Sequence, residues 1–347
     1  MKDAGVVELV KYLMHFFAVF LLLLVPTRDM LAEADGGISK ADCAWIENHA
    51  ERLKCYDEIA GLKSDPMETE AEPSDTMPGH NDKSSYLSRL WDLDGKKEGD
   101  KYAIMAHRSS YILPFSHNNL PNKDPIEEAS PGRDVKETEV KFQISLKVKL
   151  WPDMLGKNMD LWFGYTQQSF WQVYNTADSS PFRETNYEPE LLVNYRTNFD
   201  VLGMKCRMIN VGFNHQSNGQ SEPLSRSWNR IVGNFGLERD DFTLLLKTWY
   251  RIPESSKDDD NPDTDDYFGH GEVCGYYLLG KHRLGAMLRN NLQSRDNRGA
   301  LQLEWCFPLF GSVSGYLQYF TGYGENLLDY DHGVNRVSLG FILTDWM

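Results

Sequence analysis

The sequence predicts an all-β fold, a transmembrane antiparallel β-barrel of about 12 strands behind a short N-terminal periplasmic segment. Three observations predict it. From about residue 100 onward, apolar and polar residues alternate with period two in one segment after another. The connections between those segments alternate between short turns and long loops, the asymmetry of a barrel with one tight rim and one elaborate rim. Aromatic residues reach 12% of the 347, with nine Trp and 17 Tyr, in a chain of negative mean hydropathy. That excess suits aromatic girdles at two membrane interfaces. A soluble two-sheet sandwich would share the alternation but not the loop asymmetry.

Residues 16–25 (FFAVFLLLLV) form the one continuously apolar run, and its ten residues match a signal-peptide core. A membrane-spanning helix needs roughly 20. Lys2 and Lys11 precede the run and Ala32-Glu33-Ala34 resembles a small-x-small cleavage site, so residues 1–34 read as an export signal. Asp3 and Glu8 make its charged region untidy. Residues 35–63 form a small Cys-containing periplasmic segment, 64–85 an acidic linker, and 86–347 the barrel. Export permits disulfides, and Cys43 and Cys55 are the close pair outside the barrel. One straight helix would hold them roughly 18 Å apart, so a bridge requires a break near Asn48-His49. The net charge of −15 speaks against a nucleic-acid partner.

The strands are read at 101–109, 138–150, 158–172, 187–198, 203–217, 227–237, 241–252, 267–279, 281–293, 299–308, 312–323 and 335–346. The second is the clearest: Val140, Phe142, Ile144, Leu146, Val148 and Leu150 share one face, while Lys141, Gln143, Ser145, Lys147 and Lys149 share the other. In a barrel the first face meets lipid and the second lines the lumen. A lumen with room would make Arg at Ser145 nearly silent. Short turns fall at 152–157, 200–203, 239–240, 280 and 309–311; longer loops fall at 110–137, 173–186, 218–226, 253–266 and 324–334. The acidic run DDDNPDTDD at 258–266 lacks the Gly and terminal Glu of an EF-hand loop and reads as a solvated extracellular loop.

The fifth and sixth strands break the pattern. Ile209, Val211, Phe213, His215 and Ser217 share one parity, and Asn229 shares parity with Ile231 and Phe235. A His, a Ser and an Asn therefore face lipid on adjacent strands, where an unpaired polar group costs several kcal/mol. Residues i and i+2 of a strand project the same way, with Cα atoms roughly 6.5–7 Å apart. His215 is thus within reach of the Ser217 hydroxyl, and Asn229, across the hairpin, can accept a hydrogen bond from the His Nδ1–H. Nucleophile, base and orienter are the parts of a catalytic triad. The same residue types also suit a hydrated barrel rim, and parity alone leaves both readings open.

Three segments, NHQSNGQSEPLSRSWNR (214–230), YTQQSFWQVYN (165–175) and SSPFRETNYEPEL (179–191), closely resemble the bacterial outer-membrane phospholipase A family. The resemblance spans roughly 86–347. It implies His215, Ser217 and Asn229 as the triad, with the Gly219 backbone N–H on the oxyanion. It also implies a calcium cofactor, Ca²⁺, bound by the Ser225 hydroxyl, the Gln220 carbonyl and the Ser179 carbonyl of the partner in a homodimer. Hard oxygen ligands suit that ion. Gln167, another polar residue of outward parity, matches a family glutamine at the dimer interface. Gln220 stands where the family carries basic residues, which a main-chain ligand tolerates. Glu222 stands where the family carries Asp, which puts an outer calcium role in doubt. The chain ends Asp345-Trp346-Met347 rather than in the terminal Phe of many barrels.

The resemblance implies a calcium-dependent phospholipase of the outer membrane. Its substrates would be acyl esters, sn-1 and sn-2, of membrane phospholipids, cleaved on the extracellular-leaflet side. The rival reading is a non-enzymatic barrel, a passive pore or a structural shell.

Overall fold

In the computed structural model of the chain, residue 43 and residues 85–94, 102–156, 158–255, 257, 259–310 and 313–344 are described. The chain divides into two compact units, 1–80 and 81–347. In the first, Cys43 is helical, buried and disulfide-bonded. Cys55, Asn48 and His49 lie outside the described residues, as do residues 1–34, 64–84 and 345–347.

The second unit opens with helix α1 (Tyr86–Trp91) and strands β1 (Ile104–Ala106) and β2 (Ser110–Asn118). Helix α2 (Asp124–Ala129), β3 (Thr138–Trp151), β4 (Met159–Trp171), β5 (Phe182–Val201), β6 (Met204–Ser217), β7 (Ser227–Arg239) and β8 (Phe242–Ile252) follow. Helix α3 (Thr264–Phe268), β9 (Gly271–Leu279), β10 (His282–Asn290), β11 (Gly299–Phe310), β12 (Val313–Gly322) and β13 (Val334–Thr344) complete the chain. Every pairing is antiparallel, and the sheet closes on itself through β3–β4 and β2–β13. Closure pairs each of the long strands with a neighbour on either side, so their backbone groups are satisfied within the wall. Strands β1 and β2 both pair with β3, in succession along it, and together make one stave of a twelve-stave barrel.

That first stave differs from expectation. The sequence places a strand at 101–109 and a loop from 110, yet β2 runs to Asn118. The reason is an irregularity between Leu113 and Ser116, spanning Pro114. Before it Tyr111 and Leu113 point inward and are buried; after it Phe115 points out and is 49% exposed. A bulge that switches parity erases the period-two signal. Similarly, β9 begins at Gly271 because residues 264–268 form α3.

Elsewhere the alternation gives the wall its two faces. Ile144 is 47% exposed on the outside, whereas its neighbours Ser145 and Lys147 are 2% and 0% exposed. The lumen is filled rather than open. Ser85 Oγ caps α1 by accepting from Ser88 N at 3.1 Å, and Leu87, Leu90 and Trp91 pack against Met208, Trp162, Trp228 and Trp249 of the inner wall. Leu87 N donates to Glu238 Oε1 (2.7 Å), Lys149 Nζ donates to Asp92 Oδ2 (2.7 Å), and Lys147 Nζ lies 3.7 Å from the centre of the Trp91 ring. From the long-loop rim, residues 323–333 turn inward. There Glu325 pairs with Lys141 (2.9 Å) and Arg336 (2.8 Å), and Asp329 pairs with Arg183 (2.7 Å). A polar cavity of about 300 Å³ remains, lined in part by Arg108, Glu188, Glu190 and Arg230. The room on which a silent Arg at Ser145 depends is not found at that side chain: Ser145 is buried, its Oγ bonds Thr166 Oγ1 (2.7 Å) and it accepts from Arg108 N (3.0 Å).

Candidate active site

Strands β6 and β7 form a hairpin whose register puts His215 directly opposite Asn229 and Ser217 opposite Ser227. The outward residues beneath them, Val211, Phe213, Ile231 and Phe235, are each at least 40% exposed, as a lipid-facing wall requires. His215, Ser217 and Asn229 continue that face and are half-buried. The His215 Nδ1 and Asn229 Oδ1 atoms are 2.9 Å apart. An amide oxygen only accepts, so this bond requires the proton on Nδ1 and leaves the Nε2 lone pair free to take another. Ser217 lies two residues further along the same face; a bond from its hydroxyl to His215 is not among those made by the described residues. Such contacts commonly tighten only around substrate.

The hairpin loop 218–226 is held by Asn218, which is buried. Its Oδ1 accepts from Gln220 N (3.3 Å) and Arg226 N (3.0 Å), and its Nδ2 donates to Leu224 O (2.7 Å). Gly219 sits at φ +65°, where a Cβ would also approach Tyr187 Cε2 to 3.3 Å. Glycine adopts that conformation at least cost, and it lets the loop turn sharply just after Ser217.

The loop after β8 docks on this hairpin. Asn261, fully buried, accepts from Ser227 N (3.0 Å), and Ser225 Oγ donates to Asp260 Oδ2 (2.5 Å). Arg251 pairs with Asp259 at 2.7 Å. The acidic run, expected to be solvated, is thus packed where it meets the hairpin: a buried Asn and an Arg–Asp pair anchor it. The Asp260 carboxyl, by hydrogen bonding and by charge, raises the pKa of Glu222 above the ordinary glutamate value. Hydroxyl and carboxylate oxygens gathered on one rim are the donor set a hard divalent cation takes, and Ser225 and Gln220 both belong to this loop. Ser179 lies in the β4–β5 loop on the same rim, at φ +60°, with its N–H on Thr176 O (3.4 Å). Its described bonds do not reach the hairpin. Gln167 sits outward on β4, accepting from Tyr165 OH (3.3 Å) and donating to Ser169 Oγ (3.3 Å). The register puts Gln167, Tyr187, Ser217 and Ser227 in one row across four strands.

Two residues escaped the sequence reading. Asp260 was hidden in an acidic run whose packing partner lies 35 residues away. Glu254 accepts from Asn229 Nδ2 at 2.8 Å. Its signal was available, because Glu254 continues the outward parity of Tyr250 and Ile252.

The family model for phospholipase A1 matches residues 87–343. A Neisseria meningitidis relative is 34% identical over 355 residues, covering 89% of this chain and 92% of its own length. Among solved structures, an Escherichia coli outer membrane phospholipase A carrying an asparagine-to-alanine active-site mutation is 33% identical with a TM-score of 0.70, covering 76% of this chain and 100% of that one. The Salmonella typhi outer membrane phospholipase, a dimer with bound calcium, is 34% identical with a TM-score of 0.68, covering 74% and 98%. With the barrel, its plugged lumen and the outward-facing His, Ser and Asn all within the matched span, the chain belongs to the phospholipase A1 family.

Proposed function

We propose that this chain is an outer-membrane phospholipase that hydrolyses the sn-1 and sn-2 acyl esters of glycerophospholipids from the lipid-facing wall of its barrel. The observation that carries the reading is the His215–Asn229 hydrogen bond on an otherwise apolar outer surface, two residues from Ser217. Ser217 Oγ attacks the ester carbonyl carbon while His215 Nε2 takes its proton, and the imidazolium so formed is held by Asn229 Oδ1. His215 returns the proton to the departing glycerol oxygen, leaving an acyl-serine. A water molecule, deprotonated by His215, then releases the fatty acid and restores Ser217. The Gly219 N–H, in the turn that its positive φ permits, stabilises the oxyanion in both halves.

The donor set supports calcium held by Ser225 Oγ and the Gln220 carbonyl, with the partner's Ser179 carbonyl completing the site in a homodimer; Asp260 stands next to Ser225. When bound there, the ion supplies positive charge to the developing oxyanion. The row from Gln167 through Tyr187 to Ser217 supports a dimer face adjoining the active site, with each barrel sheltering the other's acyl chain. Residues 1–34 would then direct export and 35–63 lie in the periplasm, joined to the barrel through 64–85. Phospholipid hydrolysis in detergent, with calcium and then with chelator, tests this. Ser217→Ala should remain folded and lose activity by orders of magnitude, and a sulfonyl fluoride should label Ser217 in the unmodified chain only. Label on another serine overturns the assignment. The pore reading finds no support in a lumen occupied by α1 and by residues 323–333.

A further inference from the structure

We propose that Glu254 is a positioning residue that locks the Asn229 amide, and through it the His215 tautomer, so that Ser217, His215, Asn229 and Glu254 form one oriented chain of side chains; the proposal rests on the triad assignment above. Asn229 pairs across the wall with Ile252 of β8, and Glu254 lies two residues beyond on the same outward face. From there its Oε1 reaches back to Asn229 Nδ2 at 2.8 Å, on the side of the amide away from His215. The carboxylate is half-buried and belongs to no ion pair among the described residues.

An amide side chain has two orientations differing by a half-turn, and an ionised carboxylate only accepts. Against Glu254 the amide must therefore present its NH₂, which turns Oδ1 toward His215 Nδ1. That oxygen also only accepts, so Nδ1 carries the hydrogen and Nε2 is left as the base. The flipped amide would set Oδ1 against the carboxylate and offer NH₂ to Nδ1. Nε2 would then hold the proton and could not take the one on Ser217. A misoriented orienter of this kind costs a hydrolase far more than the loss of one bond would suggest. The bond to Glu254 also draws electron density onto Oδ1, strengthening its hold on the imidazolium. Asparagine at 229 and glutamate at 254 are thus a matched pair. An aspartate at 229 would confront Glu254 carboxylate to carboxylate. The negative charge that a triad usually carries in its third member stands here one residue further out.

The test uses the full chain in detergent micelles with calcium and phosphatidylethanolamine. Values of kcat and KM are compared for Glu254→Ala, Glu254→Gln, Asn229→Asp and the double variant Asn229→Asp/Glu254→Gln, beside Ser217→Ala and His215→Ala. Heat-modifiable gel migration reports that each barrel is folded. Glu254→Ala should lower kcat roughly 10-fold, the scale of an outer partner that orients a ligating or catalytic group. KM should change by less than about twofold. The rate of sulfonyl fluoride labelling should fall in parallel. Glu254→Gln, which keeps an acceptor but loses the charge, should recover part of the loss. The decisive sign is that Glu254→Gln harms the enzyme when residue 229 is Asn and helps it when residue 229 is Asp. A purely structural glutamate would give the same sign in both backgrounds, and that result overturns the proposal. An inactive Ser217→Ala beside an indifferent Glu254→Ala overturns the inference alone. Turnover at the unmodified rate in Ser217→Ala overturns the triad assignment and the inference with it.

Discussion

Replacing Asn229 by alanine removes both of its side-chain bonds, the one to His215 at 2.9 Å and the one to Glu254 at 2.8 Å, while leaving the strand ladder of β6 and β7 intact. Because Asn229 is half-buried on the outer wall and takes no part in the lumen packing, the barrel should fold normally. Its bond to His215 strengthens when the imidazole becomes positively charged. A hydrogen bond to a charged group contributes about 1.5–3 kcal/mol. At about 1.36 kcal/mol per factor of ten, its loss predicts a fall in kcat of roughly 10- to 150-fold. KM should stay near the unmodified value, because Asn229 bonds the proposed base, His215, rather than the substrate ester. Initial rates on micellar phospholipid at saturating calcium give both constants, and gel migration checks the fold. A folded Asn229→Ala barrel with kcat within about twofold of the unmodified chain would refute the orienting role, as would a loss confined to KM.

Ile144→Arg faces hydrocarbon and should cost about 2–4 kcal/mol if near the midplane, whereas Ser145→Arg buries an unpaired charge among Thr166 and Arg108 and should cost about 3–5 kcal/mol or prevent folding. Refolding titrations into lipid rank the two, and a silent Ser145→Arg would contradict the packed lumen. Gly219→Ala meets Tyr187 Cε2 at 3.3 Å and forces alanine to φ +65°, so it should displace the proposed oxyanion donor. The expected loss in kcat is roughly 10- to 100-fold, less than deletion of a whole donor. Ser225→Ala should raise the calcium needed for half-activity and weaken dimerisation, while Ser179→Ala, whose proposed ligand is main chain, should do much less. Activity titrations beside sedimentation at several calcium levels read both, and equal damage from the two would count against a shared intersubunit site.

The sequence by itself determined the barrel, because its rule is local. A strand that separates lipid from a polar lumen must alternate, and the alternation in residues 138–151 is visible without any partner. The same parity was enough to turn His215, Ser217 and Asn229 outward. Local rules fail where the backbone changes parity, as at the irregularity beside Pro114 that hid β2. They also fail where contacts join distant segments. Glu254 meets Asn229 across 25 residues and Asp260 meets Ser225 across 35. Helix α1 fills a lumen whose walls come from strands spread over the rest of the chain. Which polar residues meet across the wall depends on register and loop docking, and whether the lumen is open depends on what volume remains once α1 and the inward loop are placed. Neither is written in the period of any one strand, so only the tertiary structure could decide that the lumen is occupied and that a carboxylate stands behind Asn229.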